Sequence, residues 1–205
     1  MKPAELERLE KLSEIERSYY KKGIIFIAGM DEAGRGPLAG PVVAACVILP
    51  PGFLADGVND SKKVAPEKRE KLYIIIMNEA LSVGIGIIDE QTIDRINILN
   101  ATKMAMVDAY KKLSLKPDIL LVDALKLDEI DIEQSNIIKG DTLSISIASA
   151  SIIAKVTRDR IMTEYDGLYP EYGFAKHKGY ATADHLKAIR QFGVCAIHRK
   201  TFTGC

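Results

Sequence analysis

Cysteine is scarce in this chain of 205 residues. Cys46, Cys195 and Cys205 are odd in number and widely spaced, which excludes a disulfide framework and matches no zinc-ligand spacing. Histidine is equally sparse, so no Cys/His set competes for a metal. No run reaches the roughly 18 apolar residues of a membrane span. The opening stretch "MKPAELERLEKLSEIERSYYKKG" lacks the apolar region of a secretory signal. Charge of one sign is not in excess, since Lys plus Arg and Asp plus Glu number 28 each. Repeats, low-complexity tracts and linkers are missing, and no docking segment is expected after Phe202. A reduced, soluble, monomeric and cytoplasmic protein is expected. With 47% hydrophobic residues it has enough apolar side chains for a substantial core.

Charge is present in a pattern rather than in excess. Residues 23–154 carry 13 bases and 18 acids, and residues 155–205 carry 9 bases and 5 acids. An acidic body with a basic final segment suits a cation site beside a polyanion groove. Ordinary surface charge gives the same counts.

Leu6, Leu9, Leu12 and Ile15 share one helical face, predicting a helix over 1–22 that ends near Gly23. "IIFIAGMD", "GPVVAACVIL", "LSVGIGIID", "DILLVDA" and "SNIIKGD" read as five strands. Further helices are expected from Pro66, over 91–113, along "TLSISIASASIIAKVTRDRIMTEY" and along "ATADHLKAIRQFG". Thr182 is the expected N-cap of the last and Gly193 its C-cap. The order predicts an α/β fold with a mixed sheet: a helix over 1–22, a core over 23–165 and a helical segment over 166–205 packed on that core.

Four acids fall where strands end: Asp31 and Glu32 after "IIFIAGM", Asp123 after "ILLV", and Asp141 after "NIIKG". Neighbouring strands can bring such ends together, and clustered carboxylates do not stay ionised without a compensating charge. A hard divalent cation, Mg²⁺ or Mn²⁺, supplies it. Carboxylates with such ions cleave phosphodiesters. Each acid also has a plainer reading: a solvated turn for Asp31 and Glu32, a cap for Asp123, and the N-cap of the following helix for Asp141.

The loop "GRGPLAG" after the first acids admits a rival, the dinucleotide-binding fingerprint. It fits poorly. The spacing is G-x-G-x-x-x-G, Pro37 interrupts the expected helix start, and two acids precede it.

The blocks "GMDEAGRGPLAGPVVAACVILP", "NDSKK", "LLVDA", "IIKGD", "SASIIAKVTRDR", "YGFAKHKGYATADHL" and "IHRKTF" occur in order, and together they resemble bacterial ribonuclease HII from about residue 24 to 203. Ala33 and Arg35 depart from the serine and lysine of the sister type, ribonuclease HIII. The resemblance implies a ribonuclease H-like fold, with a mixed five-stranded sheet, flanking helices and a helical C-terminal segment. It implies cutting of the RNA strand in RNA–DNA hybrids and incision at single ribonucleotides in duplex DNA. It maps the family's metal-binding catalytic acids onto Asp31, Glu32, Asp123 and Asp141. Gly34, Arg35 and Gly36 become the loop that meets the 2′-hydroxyl and the junction phosphates, and Tyr180 the junction-sensing tyrosine. Lys62, with Lys63, and Lys155, with Arg158, Lys176 and Lys178, are expected at the duplex backbone. His177, His185 and His198 are expected as packing or surface residues. A non-catalytic hybrid-binding module is the alternative within the fold, and a nucleotide-cofactor oxidoreductase the alternative outside it.

Overall fold

Five segments become strands, and all but the first and last are apolar and rich in β-branched side chains. In a computed structural model describing residues 1–123 and 125–204, these are β1 (Ile27–Ala33), β2 (Val42–Ile48), β3 (Ser82–Ile88), β4 (Ile119–Asp123) and β5 (Glu133–Ile137). They form one five-stranded sheet in the order β3-β2-β1-β4-β5. β1 and β3 run antiparallel to β2, whereas β4 lies parallel to β1 and β5 parallel to β4. The mixed sheet agrees with the element order. Ala124, the end of the expected fourth strand, and Cys205 lie outside the described residues.

The helices are α1 (Pro3–Leu12), α2 (Glu14–Tyr20), α3 (Pro66–Glu79), α4 (Glu90–Lys111), α5 (Ile145–Leu168), α6 (Phe174–His177) and α7 (Ala183–Phe192). They cover both faces of the sheet. Along β2, Val42, Ala44 and Cys46 pack with Ile93, Ala105 and Met106 of α4. Val43, Ala45 and Val47 pack on the other face with residues of α3 and α5, such as Leu72 and Ile152. A strand buried on both sides reads as an unbroken apolar run, which is why "VVAACVI" shows no alternation. At Gly29, α5 crosses β1 so closely that an added Cβ would lie 2.1 Å from the Ser146 carbonyl carbon.

Several boundaries differ from the sequence reading. The N-terminal helix is two helices, broken at Ser13, whose hydroxyl donates back to the Leu9 carbonyl at 2.8 Å. α4 starts at Glu90, with Asp89 as its cap, and kinks at Asn97 (φ 65°). β5 lies earlier than "SNIIKGD", because Lys139 takes a left-handed conformation and starts a 3-10 turn over Gly140–Thr142. That turn and the four-residue α6 are additions. Thr182 and Gly193 cap α7 as expected.

The N-terminal segment is docked by a buried acid. Glu16 of α2 accepts hydrogen bonds from the Ser144 hydroxyl and the Ser146 N–H at the start of α5. A carboxyl group there also suits the positive end of the helix dipole. At the opposite end of the chain, Tyr172, Phe174, Ala188 and Ile197 gather around Met162 of α5.

Candidate active site at the strand ends

Asp31 and Glu32 belong to β1 rather than to the loop after it, because pairing with β2 continues past them to Ala33. Asp31 and Asp123 directly follow the paired residues Met30 and Val122 of the parallel strands β1 and β4. The two acids are therefore neighbours at the carboxyl ends of adjacent strands, a usual place for sites in α/β sheets. Asp31 is buried, and its Oδ1 accepts from the Glu32 N–H at 2.7 Å. Asp123 Oδ1 accepts from the Gly140 N–H at 3.1 Å, tying the turn that carries Asp141 to β4. Asp141 is not at a strand end; it sits buried in the 3-10 turn. Nor does it cap α5. Ser144 does, accepting from the Ile147 N–H at 3.2 Å.

The acids act on one another. Burial, then the charge of Glu32, pushes the Asp31 carboxyl well above the usual carboxylate range, and Asp123 adds to it. Burial raises Glu32 too, opposed by Arg35, whose guanidinium stands 3.2 Å from Glu32 Oε1. Asp141 is raised by burial, then by Asp60 and Asp123, with Lys62 opposing. Asp60 is an acid the sequence reading passes over while taking Lys62 from the same motif. Its signal is the short turn in "NDSKK", in which its own Oδ1 accepts from the Lys62 N–H at 3.0 Å.

This donor set is oxygen throughout, and its like charges resist joint ionisation, so it fits a hard divalent cation. Among the described residues, no three acidic, histidine or cysteine side chains already converge as a closed ligand group. The acids form two sets linked through Asp123.

Beside them runs a cleft of about 380 Å³, lined by Glu32, Arg35, Ser61, Lys62, Lys155 and Tyr180 among others. Ser151 joins it to the acids by hydrogen bonding to Asp31 and to Ser61. A Cβ added to Gly36 would come 3.9 Å from Tyr180 Cε1, so loop and tyrosine face each other. Lys155 Nζ is 6.0 Å from the Tyr180 ring centre and 2.7 Å from Asp159, and burial lowers its pKa. A second pocket, about 240 Å³, lies between α2 and the segment from Leu49 to Leu54 and contains none of these groups.

The glycine loop is held from beneath by two buried guanidiniums. Gly34 has φ +98°, and an added Cβ would lie 2.1 Å from Arg158 Nε. Arg158 donates to the carbonyls of Pro41, Ala39 and Lys178 at 2.9–3.0 Å. Arg199 donates to the carbonyls of Gly34 at 2.6 Å, Gly40 at 2.7 Å and Arg35 at 3.1 Å. Burial pushes Arg158 down to about 10 and Arg199 down to about 9.

Arg158 is thus not a duplex contact: it is fully buried and its nitrogens are engaged with backbone. The sequence reading does not foresee the role of Arg199. Neither arginine is set apart by its neighbours, since Arg158 stands between Thr157 and Asp159 and Arg199 between His198 and Lys200. Lys176 pairs with Asp184 at 2.8 Å and Lys178 bonds to Thr163 Oγ1 at 2.8 Å; neither lines the cleft. The loop leads into β2 and not into a helix, which removes the dinucleotide fingerprint.

The ribonuclease HII family model matches residues 28–205. The chain belongs to the ribonuclease HII family. Ribonuclease HII of Ruminiclostridium cellulolyticum is 58% identical over 198 residues, covering 97% of this chain and 78% of that protein. Among solved structures, ribonuclease H2 from Pyrococcus horikoshii OT3 matches with a TM-score of 0.73 at 28% identity, over 87% of this chain and 94% of that one. The ribonuclease HII of a PCNA complex from Archaeoglobus fulgidus matches with a TM-score of 0.73 at 26% identity, over 87% of this chain and 95% of that one. The mixed sheet with its flanking helices is therefore the ribonuclease H-like fold that the sequence blocks of ribonuclease HII imply. Among the described residues, no helix is long and apolar enough to cross a membrane.

Proposed function

We propose that this chain is an endoribonuclease that hydrolyses the RNA strand of RNA–DNA hybrids and nicks duplex DNA on the 5′ side of an embedded ribonucleotide. The observation that carries this reading is a cleft lined by Glu32, a clamped glycine loop and Tyr180, with Asp31 and Asp123 at the adjoining strand ends and Asp141 in the turn tied to Asp123. Asp31, Glu32, Asp123 and Asp141 hold a divalent cation, Mg²⁺ or Mn²⁺. When bound, that cation would lower the pKa of water and offset charge on the phosphate; water bonds to phosphorus as the P–O3′ bond breaks and the 3′-oxygen takes a proton, so the products carry 3′-hydroxyl and 5′-phosphate ends.

The chain's own groups select the substrate. The carbonyls of Gly34 and Arg35 point inward to Arg199. In a planar trans peptide the next N–H points the opposite way, so the N–H groups of Arg35 and Gly36 are turned outward. Glycine on either side of Arg35 lets backbone approach a sugar closely enough to read its 2′-hydroxyl, the group that separates RNA from DNA. Arg35 is half-exposed in its pair with Glu32, and such pairs contribute only about 0–1 kcal/mol. It exchanges Glu32 for a phosphate at small cost, leaving the carboxylate to the cation. Tyr180 stacks beyond the junction, and Lys62 and Lys155 meet the backbone. We infer action in the cytoplasm, as a monomer; the free thiols of Cys46 and Cys195 suit a reducing compartment.

The test is a DNA duplex carrying one ribonucleotide, cut with the metal varied. One nick 5′ of the ribonucleotide, lost when its 2′-hydroxyl is replaced by hydrogen, is expected. Equal cutting of the all-DNA duplex overturns the reading.

A further inference from the structure

Behind Tyr180 lies a cluster the reaction does not use. His185 and His198 are 0% and 1% exposed, and His177 is 8% exposed. Three buried imidazoles in one small pocket are costly unless every nitrogen finds a partner of the right kind. Here each does, and the partners fix the protons.

The chain of bonds has a backbone acceptor at one end and a backbone donor at the other. His185 Nδ1 is 2.9 Å from the Tyr180 carbonyl, which only accepts, so Nδ1 carries the proton. The Nε2 of a neutral His185 then accepts. Its partner, 3.0 Å away, is His198 Nε2, which must donate. That leaves His198 Nδ1 as an acceptor, and it meets the Cys195 N–H at 2.9 Å, with the Cys195 thiol at 3.1 Å. Both ends require the same assignment. His177 obeys the same logic: Nε2 donates to the Tyr172 carbonyl at 2.8 Å, and Nδ1 accepts from the Gly179 N–H at 3.2 Å.

These bonds end on the turn that carries Tyr180. Lys178 (φ +53°) and Gly179 (φ +83°) are both left-handed, a conformation that a non-glycine residue holds only when its surroundings enforce it. The surroundings supply that enforcement. Arg158 holds the Lys178 carbonyl, Leu38 N–H the Gly179 carbonyl, His177 the Gly179 N–H, and His185 together with Thr182 N–H the Tyr180 carbonyl.

We propose that His185 and His198, a neutral imidazole relay with one permitted tautomer per ring, and His177, bonded to the same turn, are positioning residues for Tyr180 that hold this side chain over the cleft and so set discrimination at the RNA-to-DNA junction. The inference rests on the reading of Tyr180 given above. A second proton on either ring of the relay would set N–H against N–H, across the His185–His198 contact or against Cys195. Burial already favours the neutral rings, lowering His185 and pushing His198 down to about 4. The titratable groups facing the relay are His177, stacked on His185 at 4.5 Å, Cys195, and Tyr172, whose ring lies 5.1 Å from His198. Glu171 and Glu90 act on Cys195 from further away.

Two measurements test this on the full-length protein. The first is the long-range ¹H–¹⁵N spectrum of the wild-type imidazoles. It should show His185 protonated at Nδ1 and His177 and His198 at Nε2, with both relay rings, His185 and His198, neutral at pH 7. A His185 protonated at Nε2, or an imidazolium at either relay position, overturns the proposal without reference to activity.

The second is a double-mutant cycle of His185→Gln, which removes the Nδ1 donor to the Tyr180 carbonyl, and Tyr180→Ala, read as the ratio of cleavage rates on a single-ribonucleotide duplex and on a continuous hybrid. Each single variant should lower that ratio roughly ten-fold, the factor expected for loss of a base–aromatic stack, and the double variant no further. Multiplying effects would mean that His185 serves stability alone, and would overturn the proposal. A Tyr180→Ala variant with the wild-type ratio would instead sink the underlying reading of the tyrosine, and the relay's proposed purpose with it. If His185→Gln does not fold, His198→Asn, which loses the Nε2 donor to His185, takes its place in the cycle.

Discussion

Asp31 and Gly34 are close in sequence, yet their surroundings follow opposite rules. Around Asp31 acids crowd, and the nearby cations Arg35 and Lys62 offset them only in part: Glu32 and Asp123 repel it, and Asp60 and Asp123 repel Asp141. Around Gly34 polar groups are matched, with Arg199 and Arg158 filling the carbonyls beneath the loop and the histidines fixing the turn opposite. The first region is electrostatically incomplete and waits for a charge from outside. The second is complete in itself and is fixed before any ligand arrives. Metal chemistry needs the former and discrimination between two sugars that differ by one hydroxyl needs the latter.

Asp123→Asn gives the largest effect, because Asp123 links the two sets of acids. Cleavage should fall roughly 10²–10⁴-fold while the circular dichroism spectrum is kept, since several kcal/mol of transition-state stabilisation go with the cation site. Near-normal turnover at ordinary metal concentration would remove Asp123 from the ligand set. Arg199→Ala attacks the complete region instead. It orphans the carbonyls of Gly34 and Gly40, costing about 1–3 kcal/mol for each. Urea denaturation should show that loss, and Arg199→Lys should recover part of it.

Tyr180→Ala is smaller and more selective. Loss of stacking worth about 1–3 kcal/mol should show as weakened cutting at isolated ribonucleotides, with the denaturation midpoint nearly unmoved because this side chain faces the cleft. The smallest effect concerns pH. Asp31 keeps its proton in the folded state to a higher pH than in the unfolded chain, where it titrates near 4. Between those two values the folded protein binds more protons, so metal-free stability falls as pH rises through that window. Asp31→Asn should flatten that fall and raise the metal-free melting temperature at neutral pH, by about 2–4 °C for each kcal/mol of repulsion relieved. An Asp31→Asn melting temperature that tracks wild type across the pH range would mean that the crowding is not felt.

The same contrast separates what was legible in the sequence from what was not. Strands announced themselves through doubly buried apolar runs, and the caps Thr182 and Gly193 through local chemistry. Asp31, Glu32 and Asp123 could be placed because strand ends are visible in one dimension. Asp141 was named for a strand-end position it does not occupy, since a left-handed Lys139 ends the strand early. Asp60, Arg158, Arg199 and the histidines act through partners far along the chain. Arg199 reaches Gly34 across 165 positions, and His185 meets His198 only once α7 has folded back. Such partnerships have no local periodicity to betray them. The break at Ser13 and the kink at Asn97 were hidden for the opposite reason, being single-residue events inside otherwise regular patterns.

One crossing in the fold bears on how the site moves. Because Gly29 lets the backbone of α5 rest directly on β1, no compliant side chain separates them there. A helix cushioned by long side chains can slide or roll by small amounts as those side chains change rotamer; this one has no such bearing surface at Gly29. β1 carries Asp31 and Glu32, α5 carries Ser151 and Lys155, and the turn bearing Asp141 leads into α5. These groups therefore travel as one frame, and, with Tyr180 held by its own turn, opening or closing of the cleft falls to the Lys62 turn and the long side chain of Arg35.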